Sequence, residues 1–231
     1  MLEDPNILKI LEENFPDATE EQYIHYFEKI SNSGCSYTAM INSLFSVYEG
    51  KEQEFYDMFG FSMYTITSNG TIDYNYEPLI LEWATYYWKN LYINDPFHLD
   101  SDVNNIDTIA IYSEGSSSET YQMFSQYLNE KYGISSEITL DDEKLSIEKY
   151  TSIVEDGKSV VYGGAGWDLY EINPDTGERG KLHLEDGYGH AMYVTGFTDN
   201  GDIIISSWGK QYILDTSNQS RGNYEIIDIN L

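Results

Sequence analysis

At 231 residues, with 41% apolar and 15% aromatic side chains, the chain is long enough to bury a sizeable core. Its 40 acidic residues against 12 basic ones, a formal charge of −28, exclude an electrostatic grip on nucleic acid or anionic lipid, both of which are held through Lys and Arg; the partners left are neutral or cationic. A single cysteine, Cys35, excludes an internal disulfide and a multi-cysteine zinc site.

The opening MLEDPNILKILEENF is too charged for a secretory signal, and no run reaches the ~18 apolar residues of a membrane span. The expectation is a chain without a membrane partner, cytoplasmic where it is made and compatible with export by a signal-less route. Asp4 and Pro5 open a first helix, with Ile7, Leu8, Leu11 and Phe15 on one face. Thr19 and Gln22 form a capping box for a second, in which Tyr23, Tyr26, Phe27 and Ile30 recur at helical spacing. SNSG breaks that pattern, and a third helix starts near Cys35. Its wide apolar stripe is Tyr37, Met40, Ile41, Leu44, Phe45 and Tyr48; a narrow stripe of small side chains (Cys35, Thr38, Ala39, Asn42, Ser46) suits close approach to a sheet.

The middle of the chain is less regular. FYDMFGFSMY reads as a short helix stopped at Gly60, and NYEPLILEWATYYWKNLY as a helix with Pro78 in its first turn. Residues 116–119 cap another that ends at Gly133. From GKSVVYGG onward the pattern changes to strands at 159–162, 168–172, 191–197, 202–207, 211–214 and 224–229, separated by turns such as NPDTGERG and TDNG. Helices first and strands last give an α+β fold. The organisation expected is a helical lobe over 1–50, a mostly helical insertion over 51–150 and an antiparallel sheet over 151–231.

A thiol attacks carbonyls as thiolate, a form favoured by a helix N-terminus and by a neighbouring imidazolium. Cys35 has the first by position, and His190 is the candidate for the second. A hairpin turn at TDNG brings the start of the strand opened by His190 beside the end of the next. Strict alternation in DIIISSW places Ser206 and Ser207 on opposite faces, and Ser206, which closes its strand 16 residues after His190, is the expected orienting residue. His25, His98 and His183 read as surface or structural. DSDVNNID, residues 100–107, opens like a calcium loop but lacks the glycine at its sixth position and the distal glutamate. Neither a metal nor a cofactor is expected.

SGCSYTAMINSLF, GHAMYVTGF and SSWG, in that order, resemble the three active-site segments of papain-like cysteine peptidases: a nucleophile opening the central helix, a His-Ala on a strand, and an Asn-Ser-Trp-Gly one strand later. EDGKSVVYGG ahead of GHAMYVTG is similar to the bacterial branch that includes double-glycine leader peptidases. The Gly-Cys-x-Tyr-x-Ala-Met-x-Asn pattern resembles papain-like domains of secreted bacterial toxins. The resemblance covers roughly 27–48 and 153–212. It implies a papain-like fold, with a helical N-terminal lobe packed on a C-terminal antiparallel sheet, and hydrolysis of a peptide or side-chain amide in a neutral or cationic peptide or protein substrate. Cys35 would be the nucleophile, His190 the base, Ser206 the orienting group and Trp208 the shield of the His190 pair. Two positions depart from the family: Ser206 stands in place of Asn or Asp, and Lys29 in place of the oxyanion Gln, for which Asn32 or Gln22 would substitute. These departures keep a second class open, a weak or inactive binding module on the same fold. Deamidation and acyl transfer share the machinery of the first.

Overall fold

The computed structural model describes residues 5–91, 105–106, 118–141, 143–187, 189–207, 209–217 and 221–231. Three helices open the chain: α1 (Pro5–Asn14), α2 (Glu20–Ser33) and α3 (Cys35–Val47). The Thr19–Gln22 capping box is present, with Thr19 Oγ1 accepting from the Gln22 N–H and Gln22 Oε1 accepting from the Thr19 N–H. SNSG interrupts less than its composition suggests. α2 runs through Ser33, and Gly34 alone joins it to α3.

Next come α4 (Glu52–Phe59), ended by Gly60 in the left-handed region, and a small hairpin of β1 (Tyr64–Ile66) and β2 (Ile72–Tyr74). α5 (Glu77–Tyr86) follows and passes into a π-turn at Tyr87–Leu91. After it come α6 (Ser118–Tyr132), β3 (Ser135–Asp141) and α7 (Ile147–Glu155). The C-terminal strands are β4 (Ser159–Ala165), β5 (Trp167–Ile172), β6 (Arg179–Gly187), β7 (His190–Phe197), β8 (Ile203–Ser207), β9 (Lys210–Asp215) and β10 (Arg221–Asn230). Eight strands form one antiparallel sheet in the order β3-β10-β4-β7-β8-β9-β5-β6.

The α+β class is as the sequence indicates. The sheet is larger than expected, because β3 from the middle region pairs along β10 and β6 forms just after the NPDTGERG turn, where the pattern marks no strand. Residues 51–150 are therefore no mere insertion: β3 is an edge strand of the main sheet, and α5 and α6 supply Leu79, Trp83, Tyr121 and Phe124 to the same core as α3. Arg179 of β6 ties that hairpin down, forking onto both oxygens of Asp202 and reaching Asp215 at the end of β9. Among the described residues no helix is long and apolar enough to cross a membrane, and no cluster of three His, Cys, Asp or Glu could hold a metal ion. His98 and residues 100–104 and 107 of the calcium-like loop lie outside the described residues.

The sheet separates two cores. On one face α3 is packed on nearly all sides, with Tyr37, Met40, Ile41, Leu44 and Phe45 buried against Trp83 and Phe55 and against the sheet residues Val161, Ala191, Ile227 and Ile229. On the other face Val160, Tyr162, Trp167, Met192, Val194, Ile203, Ile205 and Tyr224 form a second cluster with Leu145 and Ile153. The α2–α3 junction sets how α3 enters the first core. A Cβ on Gly34 would stand 2.5 Å from the carbonyl oxygen of Ile30, a backbone atom that cannot swing aside. Gly34→Ala is expected to lower unfolding free energy by about 1–3 kcal/mol, the usual cost of overpacking. A urea midpoint unchanged from wild type would show that the joint tolerates a side chain.

Candidate active site

Cys35 is the first residue of α3, half-buried, and packs at the margin of the first core. The helix it opens is well formed: Thr38 returns both its N–H and its Oγ1 to the Gly34 carbonyl, and Asn42 Nδ2 donates to the Thr38 carbonyl. Asn42 Oδ1 also accepts from Tyr76 Oη at 2.7 Å, which fixes the helix to the start of α5. The small-residue stripe does lie along the sheet, with Ser46 next to the hydroxyl of Tyr193 in β7.

His190 is the first residue of β7 and follows Gly189, whose φ of 60° is a turn conformation that favours glycine. Its Nε2 lies 2.6 Å from Ser207 Oγ, and its ring sits 5.9 Å from that of Trp167, which is itself 1% exposed. Trp167 is held by an Nε1–H bond to the Gly164 carbonyl, and its ring occupies the space where a Cβ on Gly187 would go, 2.2 Å from the ideal position. Burial pushes the His190 pKa down to about 4, so the imidazole is neutral at pH 7. An imidazolium that would stabilise the thiolate is therefore not the resting state of this ring.

Ser207, and not Ser206, meets the histidine. Pairing between β7 and β8 starts at the turn in the expected register, Phe197 opposite Ile203 and Gly196 opposite Ile204, then shifts by one residue so that Val194 faces Ile205 and Tyr193 faces Ser206. Thr195 is the extra residue of this bulge, its Oγ1 donating to the Ile204 carbonyl and accepting from Gln211 Nε2. A one-residue slip exchanges the two faces of a strand. Ser207 consequently joins Ile203 and Ile205 on the face of His190 and Met192, while Ser206 turns to the face of Tyr193. Gly196 within a strand was the available signal for the bulge.

Of the other expected contributors, Gln22 alone has a described side chain. Gln22 spends its amide oxygen on the capping box at the far end of α2, roughly 20 Å from Cys35 at 1.5 Å per residue, and is no oxyanion donor. Asn32 falls in the last turn of α2, with its side chain outside the described residues, and Trp208 also lies outside them. Among the described residues a ring against His190 is that of Trp167, which carried no motif. Alternation along β7 directs Ala191 into the α3 core and His190 to the side of Trp167. Among the described residues no hydrogen bond joins Cys35 to His190.

Glu225 stands out in the structure although no motif marks it. This β10 residue is 0% exposed on the α3 face, and both of its carboxylate oxygens are buried without a hydrogen-bond partner. Burial raises its pKa to about 8. No family profile, curated protein or solved structure matches the chain.

The depressed pKa of His190 has a stability consequence of definite sign. Between about 4 and the ordinary histidine value of 6.5 the unfolded chain binds a proton that the folded chain excludes, so stability is complete above that window and falls as pH drops through it. The loss is on the order of 3 kcal/mol at most. Unfolding free energies of wild type and His190→Gln across pH 4–7 should differ in slope, wild type losing stability toward acid pH that the variant does not lose; parallel curves would place the ring's proton affinity near its ordinary value.

Proposed function

We propose that this chain is a papain-like cysteine hydrolase acting on a peptide or side-chain amide, with Cys35 as nucleophile and His190 as a neutral general base oriented by Ser207. The observation that carries the reading is the 2.6 Å contact between His190 Nε2 and Ser207 Oγ behind Trp167. When Nε2–H donates to Ser207, the tautomer is fixed with the lone pair on Nδ1, which is the form a base requires.

The thiol proton passes to Nδ1 as sulfur attacks the carbonyl carbon. The resulting imidazolium returns that proton to the leaving amine as the C–N bond breaks, leaving a thioester. Water, deprotonated by the same nitrogen, then releases the acid and restores the thiol. A neutral resting ring makes this general-base catalysis, in contrast to a preformed thiolate–imidazolium pair. The first-turn N–H groups of α3 are the nearest donors for the oxyanion. The charge of −28 favours a substrate that is neutral or cationic around the scissile amide.

A second reading, a binding module without turnover, is favoured by the face on which His190 lies: its strand neighbour Ala191 points at α3 while the imidazole points at Trp167. Catalysis on this scaffold therefore depends on the ring reaching the thiol around the end of β7, where His190 is the terminal strand residue.

Turnover of a basic peptide library, with trapping of the acyl-enzyme by mass spectrometry, separates the two. The hydrolase reading expects no turnover in Cys35→Ala and a loss of roughly 10²-fold or more in His190→Ala. Ser207→Ala should lose about tenfold, about 1.4 kcal/mol, and Ser206→Ala should stay near wild type. Undiminished cleavage by Cys35→Ala ends the enzymatic reading. Stable peptide binding with no acyl adduct in wild type establishes the binding module.

A further inference from the structure

In the small hairpin Tyr64 of β1 pairs with Tyr74 of β2, and Ile66 with Ile72, so these four side chains share one face while Thr65 and Asp73 take the other. The inner half of that face is anchored. Tyr74 stacks on Phe45, in the last turn of α3, with ring centres 5.4 Å apart, and Tyr64 stands edge-on to Tyr74 at 5.9 Å. The outer half has no such cover: Ile66 is 66% and Ile72 50% exposed. Placed side by side next to two tyrosines, they form a strip and not scattered apolar residues. Where the strip meets α4, Glu52, Gln53, Tyr56, Ser62, Met63 and Tyr64 bound a cavity of about 230 Å³. That is smaller than the ~300–1,000 Å³ of sites that enclose a whole small ligand, and suits one long side chain. Its walls offer two phenol rings, a thioether and a carboxylate. Glu52 Oε1 accepts the Gly50 N–H at 3.1 Å, and among the described residues no basic side chain pairs with this carboxylate. The segment around it, residues 49–57, carries Glu49, Glu52, Glu54 and Asp57 against Lys51 alone. A second copy of the chain, with its 40 acidic and 12 basic residues, or an anionic lipid surface would meet like charge there. A lysine side chain meets its complement: the alkyl stem lies on Met63 and the tyrosines, and the ammonium on the ring faces and Glu52.

We infer that the β1–β2 hairpin and the cavity beside it dock an extended peptide in which a lysine is followed two residues later by an aliphatic side chain. The lysine enters the cavity against Glu52, Tyr56 and Tyr64, and the aliphatic residue covers Ile66 and Ile72. The spacing follows from strand geometry: Tyr64 and Ile66 are two residues apart on one face, roughly 7 Å, which is the repeat of an extended partner. This site goes beyond the hydrolase reading and does not rest on it. Phe45, on which the hairpin is anchored, lies ten residues along α3 from Cys35, roughly 15 Å, so the docked segment is remote from the thiol.

The test is a ¹H–¹³C NMR titration of the methyl groups of Met63, Ile66 and Ile72 with acetyl-Lys-Ala-Leu-amide, and with the same peptide carrying norleucine or glutamate in place of lysine. The lysine peptide should shift all three methyls saturably, and the norleucine peptide should bind roughly fivefold more weakly for want of the charge. Glu52→Gln keeps an acceptor for the Gly50 N–H while removing the charge, and in it the lysine and norleucine peptides should bind alike. Ile66→Thr should weaken both. Equal binding of the lysine and norleucine peptides to wild type, preference for the glutamate peptide, or no shift with any of the three overturns the inference, as does a lysine peptide whose affinity is unmoved by both substitutions. Binding is read without turnover and should be unchanged in Cys35→Ala, so a protein that cleaves nothing would still show the site, and an active hydrolase could still lack it.

Discussion

The burial of α3 against the sheet is the constraint on which the rest of the molecule depends. A helix of 13 residues with eight of them buried can persist only if both a sheet and other helices cover it. β7, β4 and β10 lie beneath it, and α5 and α6 cover its other sides, with Tyr37 edge-on to Trp83 at 4.3 Å. This arrangement explains why the middle of the chain cannot be a detachable insertion: without Trp83, Phe124 and Tyr121 the outer side of α3 would face water. It also fixes the environment of Cys35, which stands where the helix leaves that cover.

The second determinant is a single extra residue. Thr195 shifts the pairing of β7 and β8 midway along the hairpin, so the half near the turn and the half near His190 present opposite faces for the same sequence parity. The choice of serine follows from that shift alone. Ser206 and Ser207 are chemically identical; one touches the imidazole because the bulge rotates it there. Trp167 reaches the same place by another irregular route, through register shifts in the pairing of β5 with β6 and the absence of a side chain at Gly187.

Desolvation acts in opposite senses on the two ionisable side chains of interest. It removes the charge from His190 by lowering its proton affinity and from Glu225 by raising it, so both are neutral near pH 7. A chain with a surplus of acidic side chains at its surface thus keeps its interior uncharged around the candidate site. The proton movements proposed for Cys35 begin from a neutral imidazole, which can accept a proton without first breaking an ion pair.

Local patterns in the sequence determined the elements. Residue periodicity defines α1 to α3, the Thr19–Gln22 box caps α2, Gly60 and Gly133 stop α4 and α6, and short apolar runs bounded by turn residues mark β4, β7 and β8, because each of these depends on neighbours within a few residues. The placement of Cys35 at a helix start and of His190 at a strand start was legible for the same reason. What only the tertiary structure decided is which side chains meet. Strand register is set by pairing across the sheet, so a bulge at Thr195 overrules alternation counted along one strand and substitutes Ser207 for Ser206. Helix length carries Gln22 away from the thiol, and the burial of Glu225 depends on three elements distant in sequence closing over β10, a fact that no window of local sequence contains.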